Sequence, residues 1–361
     1  MDKKTDRLLS LCRDPILVVE KEKLAYMNPA ARSAFPNVKP GKNALRLLPE
    51  FVLTEDEGRF TATKEVEGRE YTILCDCEGG RKIIALFPRK QPEPSGLLSD
   101  GLITQLRSTL GTIGFAVSRA TEQEERRSLD GISEVMPLLR LEYHSMKRQL
   151  DNLEMARLLR EGQMWYEPMD TDLVELCADL ADSVGVLTAG QRATIEFSSP
   201  LPKLNAYADA LLLERLLLNL LSNSFAHTPQ DGRISLRVEK NGGDAVITVE
   251  DNGSGIPMEI YQNVFSRYET RADRDHLDRA STAGLGLSIS NGIARLHGGV
   301  LLVRTQEGKG TRVCLNFPLE APAEAVFYRK SPEPHPNGLE PILTELAGIL
   351  DESAYAAAFL D

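Results

Sequence analysis

The sequence lacks the features that mark membrane-spanning and secreted proteins. No stretch approaches the ~18 consecutive apolar residues that a transmembrane helix needs. Its first residues, MDKKTDRLLSLCRDP, contain neither the long apolar core nor the small-residue cleavage site of a signal peptide. These absences predict a cytoplasmic protein with no integral membrane segment.

Cysteine is also scarce, and its distribution excludes a disulfide framework. The five cysteines are an odd number and are dispersed along 361 residues. Cys75 and Cys77 fall on one face of a predicted strand, because strand side chains alternate. Since no second pair completes a metal site, we interpret both as ordinary strand residues.

Positive charge is in deficit. The chain has 42 basic and 53 acidic residues, which gives a formal net charge of −11. Proteins that bind nucleic acid or anionic membranes usually carry a basic face, so we expect neither partner here. The length predicts two or three domains, and the hydrophobic fraction of 42% is ordinary for globular proteins.

Residues 1–90 predict a small α+β domain. Alternation and turn signals indicate a short helix over 28–35 and strands over 15–21, 23–27, 58–66, 69–78 and 81–87. This order, with DPILVV at 14–19 and YMNPAA at 26–31, resembles a PAS sensor domain. A structural or dimerisation domain without a ligand fits the same pattern, and no residue indicates a signal.

Residues 91–97 have the composition of a linker, and residues 98–165 predict two long helices. The apolar stripe of the first helix is Leu102, Leu106, Leu110, Ile113 and Val117. The heptad seam of the second is Met136, Leu139, Tyr143, Met146, Leu150 and Leu153. A second copy would bury both stripes in a four-helix bundle, which predicts a homodimer. Packing against the flanking domains of one monomer is the alternative.

Residues 168–320 alternate predicted helices and strands, with strands over 192–198, 233–240, 244–251, 299–306 and 311–317. The tail, 321–361, is rich in Ala, Pro and Glu and predicts one short helix near 339–350. The pattern assigns that tail no role.

Two motifs in this region could contact a nucleotide. Asn219 and Asn223 are four residues apart on one helix face, where amide oxygens can hold Mg²⁺. Asp251 follows a strand and could accept a hydrogen bond from an adenine amine, while Gly253 and Gly255 let backbone approach a flat base. Taken singly, the asparagines also fit surface or capping positions, and the second motif also fits a glycine turn.

Two further motifs could contact phosphate. The charged stretch 266–280 has no apolar periodicity and predicts a mobile loop, from which Arg267 and Arg271 could close over phosphates. A solvated charged helix is the alternative. The last motif opens a helix whose backbone N–H groups could bind phosphate. It consists of Gly284, Leu285, Gly286 and Leu287.

In this order and spacing, the four motifs resemble the N, G1, F and G2 boxes of the histidine-kinase ATP-binding domain. ARLHGG at 294–299 and GKGT at 308–311 are also similar to that family. The resemblance implies a sensor histidine kinase of two-component systems with a PAS-like domain and a dimerisation hairpin. It further implies an α/β-sandwich domain of the histidine-kinase, gyrase and Hsp90 type, ATP and Mg²⁺ as cofactors, and a response regulator as partner.

The resemblance also implies roles for single residues. Asn223 would ligate Mg²⁺ with help from Asn219, and Asp251 would read the adenine amine. Gly253 and Gly255 would line the base pocket, and Gly284 and Gly286 would face the triphosphate. His227 and His297 would be structural groups or lie at the pocket edge.

The chain departs from the family at the phosphoacceptor. Where the family has a histidine followed by an acid, this sequence has Thr104 and Gln105, followed by the family's Leu106 and Arg107. Thr104 lies about 160° from the apolar stripe, so we expect it to face solvent. The amide of Gln105 cannot act as a base. Ala226 also replaces a basic residue of the family.

Three hypotheses follow. The first is a cytoplasmic sensor-kinase family protein that binds Mg·ATP and uses an unusual acceptor, with Thr104, Ser108 or His144 as candidates. His144 also fits a polar surface residue. The second is a pseudokinase, an ATP-dependent regulatory module for a partner kinase or response regulator. The third is a serine kinase of the anti-sigma type, which the hairpin and the PAS-like domain disfavour.

Overall fold

The computed structural model describes residues 12, 14–20, 23–41, 58–66, 69–88, 110–111, 113, 136–189, 193–257, 283–320 and 339–355. The fold is mixed α+β, as predicted. None of the helices in these ranges is long and apolar enough to cross a membrane.

The described residues of the N-terminal region form five antiparallel strands and one short helix. These are β1 (Ile16–Glu20), β2 (Lys23–Met27), α1 (Pro29–Ala34), β3 (Gly58–Val66), β4 (Arg69–Glu78) and β5 (Arg81–Pro88). The strand order is β2-β1-β5-β4-β3, and every predicted strand and the predicted helix of this region are confirmed. Asn28 fixes the start of α1, because its Oδ1 accepts from the backbone N–H groups of Ala31 at 2.8 Å and Ile16 at 2.9 Å. Cys75 and Cys77 are both buried in this domain's core.

The predicted second helix of the hairpin is confirmed as α2 (Met136–Glu161). The predicted first helix lies outside the described residues except for residues 110–111 and 113, so the hairpin stays a prediction. Its predicted seam does not face one partner throughout. Met136 and Leu150 are buried, whereas Leu139 and Met146 are 46% and 49% exposed. Part of the seam is therefore covered within the chain and part is open.

Between residues 168 and 320, the described residues form three helices and seven strands. The helices are α3 (Leu173–Leu187), α4 (Ala210–His227) and α5 (Ala283–Leu296). The strands are β6 (Met169–Asp172), β7 (Ala193–Ser198), β8 (Asn205–Ala208), β9 (Gly232–Asn241), β10 (Asp244–Asp251), β11 (Val300–Gln306) and β12 (Gly310–Pro318). The main sheet runs β11-β12-β10-β9-β7, and all its pairs are antiparallel except β7 with β9.

Period-two burial makes one face of this sheet apolar and packs it against the helices. In β9, for example, Ile234, Leu236 and Val238 are fully buried and share a core with Leu217 and Ile293 of the helices. The small β6–β8 pair was not predicted, because four-residue strands such as MDTD show no hydrophobic alternation.

The two sheets join edge to edge. Strand β3 of the N-terminal domain pairs with β11, with Thr61 opposite Val303 and Phe60 opposite Arg304. The result is a continuous ten-stranded sheet. The contact continues at α5, where Thr63 Oγ1 donates to Asn291 Oδ1 at 2.8 Å.

The predicted helix in the tail is confirmed as α6 (Glu340–Glu345), followed by a 3-10 helix (Glu352–Tyr355). We call residues 339–355 the C-terminal segment. It packs on α2 and α4, and Leu343, Leu346 and Tyr355 are completely buried there.

Candidate nucleotide site

Helix α4 carries both asparagines of the first motif toward the start of α5. Asn219 is completely buried, and neither its Oδ1 nor its Nδ2 has a hydrogen-bond partner among the described residues. Nδ2 of Asn223 is likewise without one in that part of the chain. A buried polar group left unpaired costs about 1–3 kcal/mol, so three such atoms in one place indicate a binding site.

Gly286 shows how closely α5 approaches these amides. A Cβ at Gly286 would lie 3.2 Å from Asn219 Oδ1 and 3.7 Å from Asn223 Nδ2. Gly284 lies in the first turn of α5, where backbone N–H groups have no partner within the helix. The structure thus brings the first and fourth motifs together. Leu287 is buried in the core and Leu285 packs against it, so these two leucines anchor the helix.

Asp251 stands at the end of β10 and is held by three donors. Its Oδ1 accepts from the backbone N–H groups of Gly253 at 2.9 Å and Thr311 at 3.2 Å. Its Oδ2 accepts from Ser224 Oγ at 3.1 Å. Ser224 follows Asn223 on α4, so the second motif is tied directly to the first.

The carboxylate of Asp251 is fixed but not saturated. Burial raises its pKa, and the hydrogen bonds from Gly253, Ser224 and Thr311 oppose that rise. A carboxylate oxygen can accept two hydrogen bonds, and Oδ2 accepts only one from the described residues. Oδ2 therefore retains the capacity to accept from an amine such as that of adenine.

The glycines of the second motif are required by backbone packing. A Cβ at Gly253 would lie 2.5 Å from the His227 carbonyl oxygen, and one at Gly255 would lie 2.4 Å from that of Gln306. Gly255 also has a φ of +70°, which disfavours other residues. These contacts explain both glycines, and their role in lining a base pocket stays a prediction.

The two histidines differ in environment. His227 is exposed at the end of α4, and its backbone carbonyl accepts from Ser254 N–H at 3.1 Å. His297 is buried, and its Nε2 accepts from the Asp209 N–H at 3.1 Å. That acceptor role requires neutral imidazole, so Nδ1 donates to the Ile293 carbonyl at 2.9 Å. Burial lowers the pKa of His297, which favours the same neutral form.

His144 is not the polar surface residue that the sequence allowed. It is 7% exposed, and its Nδ1 lies 2.8 Å from Thr344 Oγ1 of the C-terminal segment. Burial, together with the nearby charge of Lys147, lowers the pKa of His144 to about 4. This placement does not support a role as phosphoacceptor.

Five predicted site residues lie outside the described residues: Thr104, Gln105, Ser108, Arg267 and Arg271. Their acceptor and phosphate-contact roles stay predictions. Sequence reasoning missed Ser224 and Thr311, which hold Asp251. The signal that could have found them is their position in the sequence, because Ser224 directly follows Asn223 and Thr311 directly follows Gly310.

Comparison with known proteins identifies the family to which this part of the chain is similar. The family described as "Histidine kinase-, DNA gyrase B-, and HSP90-like ATPase" matches residues 208–321, the stretch that contains Asn219, Asn223, Asp251 and Gly286. These residues form a histidine-kinase-type ATPase domain. The predicted domain type is therefore confirmed.

Relatives of this domain are sensor kinases. The chain is 26% identical to the alginate biosynthesis sensor protein KinB of Pseudomonas aeruginosa over 349 residues, which cover 88% of this chain and 57% of KinB. It is 28% identical to the adaptive-response sensory kinase SasA of Thermosynechococcus vestitus over 215 residues, which cover 58% of this chain and 55% of SasA. The catalytic domain of histidine kinase ThkA aligns with 43% of this chain and 97% of its own, with 24% identity and a TM-score of 0.37.

The chain is thus a relative of the sensor histidine kinases, as the motif order predicted. It spans between a half and two thirds of the length of KinB and SasA.

Proposed function

We propose that this sensor-histidine-kinase relative binds Mg·ATP and takes part in two-component signal transduction. The observation that carries the proposal is the cluster of unpaired amide atoms of Asn219 and Asn223 against Gly286, with Asp251 fixed nearby through Ser224. A ligand with metal and phosphate groups would satisfy the amides, and an exocyclic amine would satisfy Asp251.

The residues present fit Mg²⁺. Amide oxygens are suitable ligands for this hard cation, which keeps several waters and takes phosphate oxygens as further ligands. Asn223, supported by Asn219, would hold the ion. When bound, Mg²⁺ neutralises part of the triphosphate charge, a need that is acute in a chain with a net charge of −11.

The protein supplies the rest of the recognition. Asp251 would orient the base, because its carboxylate is fixed by three donors before any ligand arrives. The first turn of α5, with Gly284 and Gly286, would present backbone N–H groups to phosphate. Arg267 and Arg271 would add charge from the 266–280 stretch.

A second candidate function is a pseudokinase, a regulatory module whose shape depends on ATP. Two observations favour it. Thr104 and Gln105 stand where the family has its acceptor histidine and acid, and His144 is buried beneath Thr344. In this case ATP binding would control a partner kinase or a response regulator without phosphotransfer.

Partners follow from the relatives and from α2. The relatives named as sensor kinases suggest a response regulator. Leu139 and Met146 leave an open apolar part of the α2 seam, which suits a second copy in a homodimer. A cytoplasmic location stays a prediction from the sequence.

Nucleotide binding is tested with purified protein, Mg²⁺ and ATP in a calorimeter. We expect binding that Asn223→Ala and Asp251→Ala each abolish. Gly243→Ala is the control, because a Cβ there meets nothing within 4 Å. Folded protein without measurable ATP binding would contradict both candidate functions.

Incubation with γ-labelled ATP then separates the two candidates. Acid-labile label indicates a phosphohistidine, which His144→Ala would remove if that residue were the acceptor. Acid-stable label that Thr104→Ala or Ser108→Ala removes indicates a hydroxyl acceptor. ATP binding without any label indicates the pseudokinase.

A further inference from the structure

The C-terminal segment, to which the sequence assigns no role, forms part of the core beside the nucleotide site. Ile342, Leu343, Leu346 and Tyr355 belong to the hydrophobic core of the ATPase domain. The segment packs against two helices, α2 and α4, and α4 carries Asn219 and Asn223.

A buried charge cluster joins these three elements. The carboxylate of Glu345 is 1% exposed and pairs with two arginines from different helices. Arg148 of α2 places Nε 3.5 Å from Glu345 Oε2, and Arg215 of α4 pairs with Oε1 through Nη1. A carboxylate this deeply buried needs such partners, because desolvation of an unpaired ion costs several kcal/mol.

The same arginines also tie α2 to α4 directly. Arg148 Nη2 donates to Ser222 Oγ of α4 at 3.0 Å. Arg215 Nη2 donates to Asn152 Oδ1 of α2 at 2.9 Å. Removal of Glu345 would leave the like charges of Arg148 and Arg215 without the carboxylate that lies between them.

A second contact zone lies closer to the N-terminus of α2. Thr344 Oγ1 is 2.8 Å from His144 Nδ1, and the ring of Tyr355 packs 5.4 Å from the His144 ring. Arg140 Nη1 donates to the Tyr355 carbonyl at 2.8 Å. Tyr355 Oη in turn donates to the Leu343 carbonyl at 2.8 Å, which closes the segment on itself. The segment thus holds α2 over more than two helical turns.

These contacts end beside the nucleotide-binding amides. Ser222 lies between Asn219 and Asn223 on α4, and Arg215 lies one turn before Asn219. The orientation of Asn219 and Asn223 therefore depends on the same stretch of helix that Arg148, Arg215 and Glu345 fix.

We propose that the C-terminal segment is a latch that fastens α2 to α4 and positions the asparagines for nucleotide. Latch closure and nucleotide binding are then linked: opening the latch weakens binding, and bound nucleotide slows opening. The linkage to nucleotide binding rests on the proposed function. The attachment of α2 to α4 by the segment does not, because it is inferred from the contacts alone. Glu345 is a positioning residue, since it acts through Arg148 and Arg215.

The test compares Glu345→Gln with Glu340→Gln in the full chain. Both residues lie on α6, but Glu340 is 59% exposed and pairs only with Lys147 among its described ion-pair partners. We expect Glu345→Gln to speed hydrogen exchange in residues 140–152 and 339–355. We also expect it to weaken Mg·ATP binding by about ten-fold, within the usual range of coupling between sites. Glu340→Gln should change neither.

Thermal stability is measured beside both readouts, because a merely structural residue would lower the Tm without changing affinity. Unchanged exchange in 140–152 overturns the latch. Faster exchange with unchanged affinity overturns the linkage. Should Glu345→Gln fail to fold, Ser222→Ala removes one bond between α2 and α4 without stranding a charge, and the same expectations apply to it.

The reciprocal arm uses wild-type protein. Saturating Mg·ATP should slow exchange in 339–355, and no change in that segment would count against the linkage. If wild-type protein binds no Mg·ATP, the proposed function and the linkage both fail. The fastening of α2 is then judged by hydrogen exchange of the two glutamate variants alone.

Discussion

His144 is a histidine whose neutral form the fold requires. Its pKa lies at about 4 instead of the ordinary 6.5. Burial is the main cause, the charges of Lys147 and Arg140 act in the same direction, and Glu340 opposes them. Between pH 4 and pH 6.5, His144 is protonated in the unfolded chain but neutral in the folded chain. Stability is therefore lost as pH falls from about 6.5 toward 4, by on the order of 3 kcal/mol.

This pH dependence is measured by denaturant unfolding at several pH values. In His144→Asn the side chain can still bond Thr344 but cannot titrate in this range, so the curve of that variant should be flatter below pH 6.5. His297 remains in both proteins, so its contribution cancels in the difference. Parallel curves for the two proteins would contradict the assignment.

At Gly286, a single substitution should affect nucleotide affinity and protein stability differently. In a helix, Ala is more favourable than Gly by ~1 kcal/mol, so Gly286→Ala should leave thermal stability equal or higher. Its Cβ would crowd Asn219 Oδ1 at 3.2 Å. We expect Mg·ATP affinity to fall by about ten-fold, or 1.4 kcal/mol.

Calorimetry and thermal unfolding on the same preparations check this prediction. Gly243→Ala, in an open turn, should change neither quantity. Equal losses of stability and affinity in Gly286→Ala would point to a disrupted fold instead of a crowded site.

At the scale of elements, the turn between β11 and β12 supports the end of β10. A Cβ at Gly310 would lie 1.9 Å from the Asp251 carbonyl oxygen, and the residue has a φ of +110°. Gly308 in the same turn has a φ of +75° and nothing within 4 Å of its Cβ position. Gly308→Ala therefore carries only the conformational cost, about 1 kcal/mol.

Gly310→Ala carries a larger conformational cost, because a φ of +110° lies further from the left-handed α region, and it adds a backbone collision. We expect it to lower the free energy of unfolding by several kcal/mol, in the range of severe packing defects, and to abolish ATP binding. Chemical denaturation of both variants is the measurement. Similar losses in the two variants would show that the collision relaxes without disturbing β10.

The predictable elements were those with local signals. Strands β9 and β10 alternate apolar and polar residues, and the spacing of Asn219 and Asn223 fixes their shared face on α4. What escaped prediction depends on contacts between distant residues. Two examples are the pairing of β3 with β11 and the burial of Glu345 between Arg148 and Arg215. Neither contact produces a periodic pattern in the sequence.

For the whole molecule, β11 serves two cores at once. Leu301 and Val303 face the core of the ATPase domain, whereas Leu302 belongs to the core of the N-terminal domain. Arg295 of α5 adds an ion pair to Glu70 at 2.7 Å. The N-terminal domain is thereby attached to the helix that begins at the candidate nucleotide site.

The same substitution at neighbouring positions should therefore affect different domains. Buried Leu→Ala changes cost about 2–5 kcal/mol. We expect Leu302→Ala to speed hydrogen exchange in β3, β4 and β5 while nucleotide affinity is kept. Leu301→Ala should instead speed exchange in β9 and β10 and weaken binding. Identical exchange patterns in the two variants would show that β11 does not divide the domains in this way.

The pairing of β3 with β11 also sets an order of events during synthesis. Strand β3 leaves the ribosome early, but its partner β11 is made only after the hairpin and most of the ATPase domain. Through that interval the nascent chain presents an unpaired edge strand, which is a site for association with other chains. Slow translation or a stop before residue 300 should therefore favour aggregation, from which chaperones that shield strand edges would protect the growing chain.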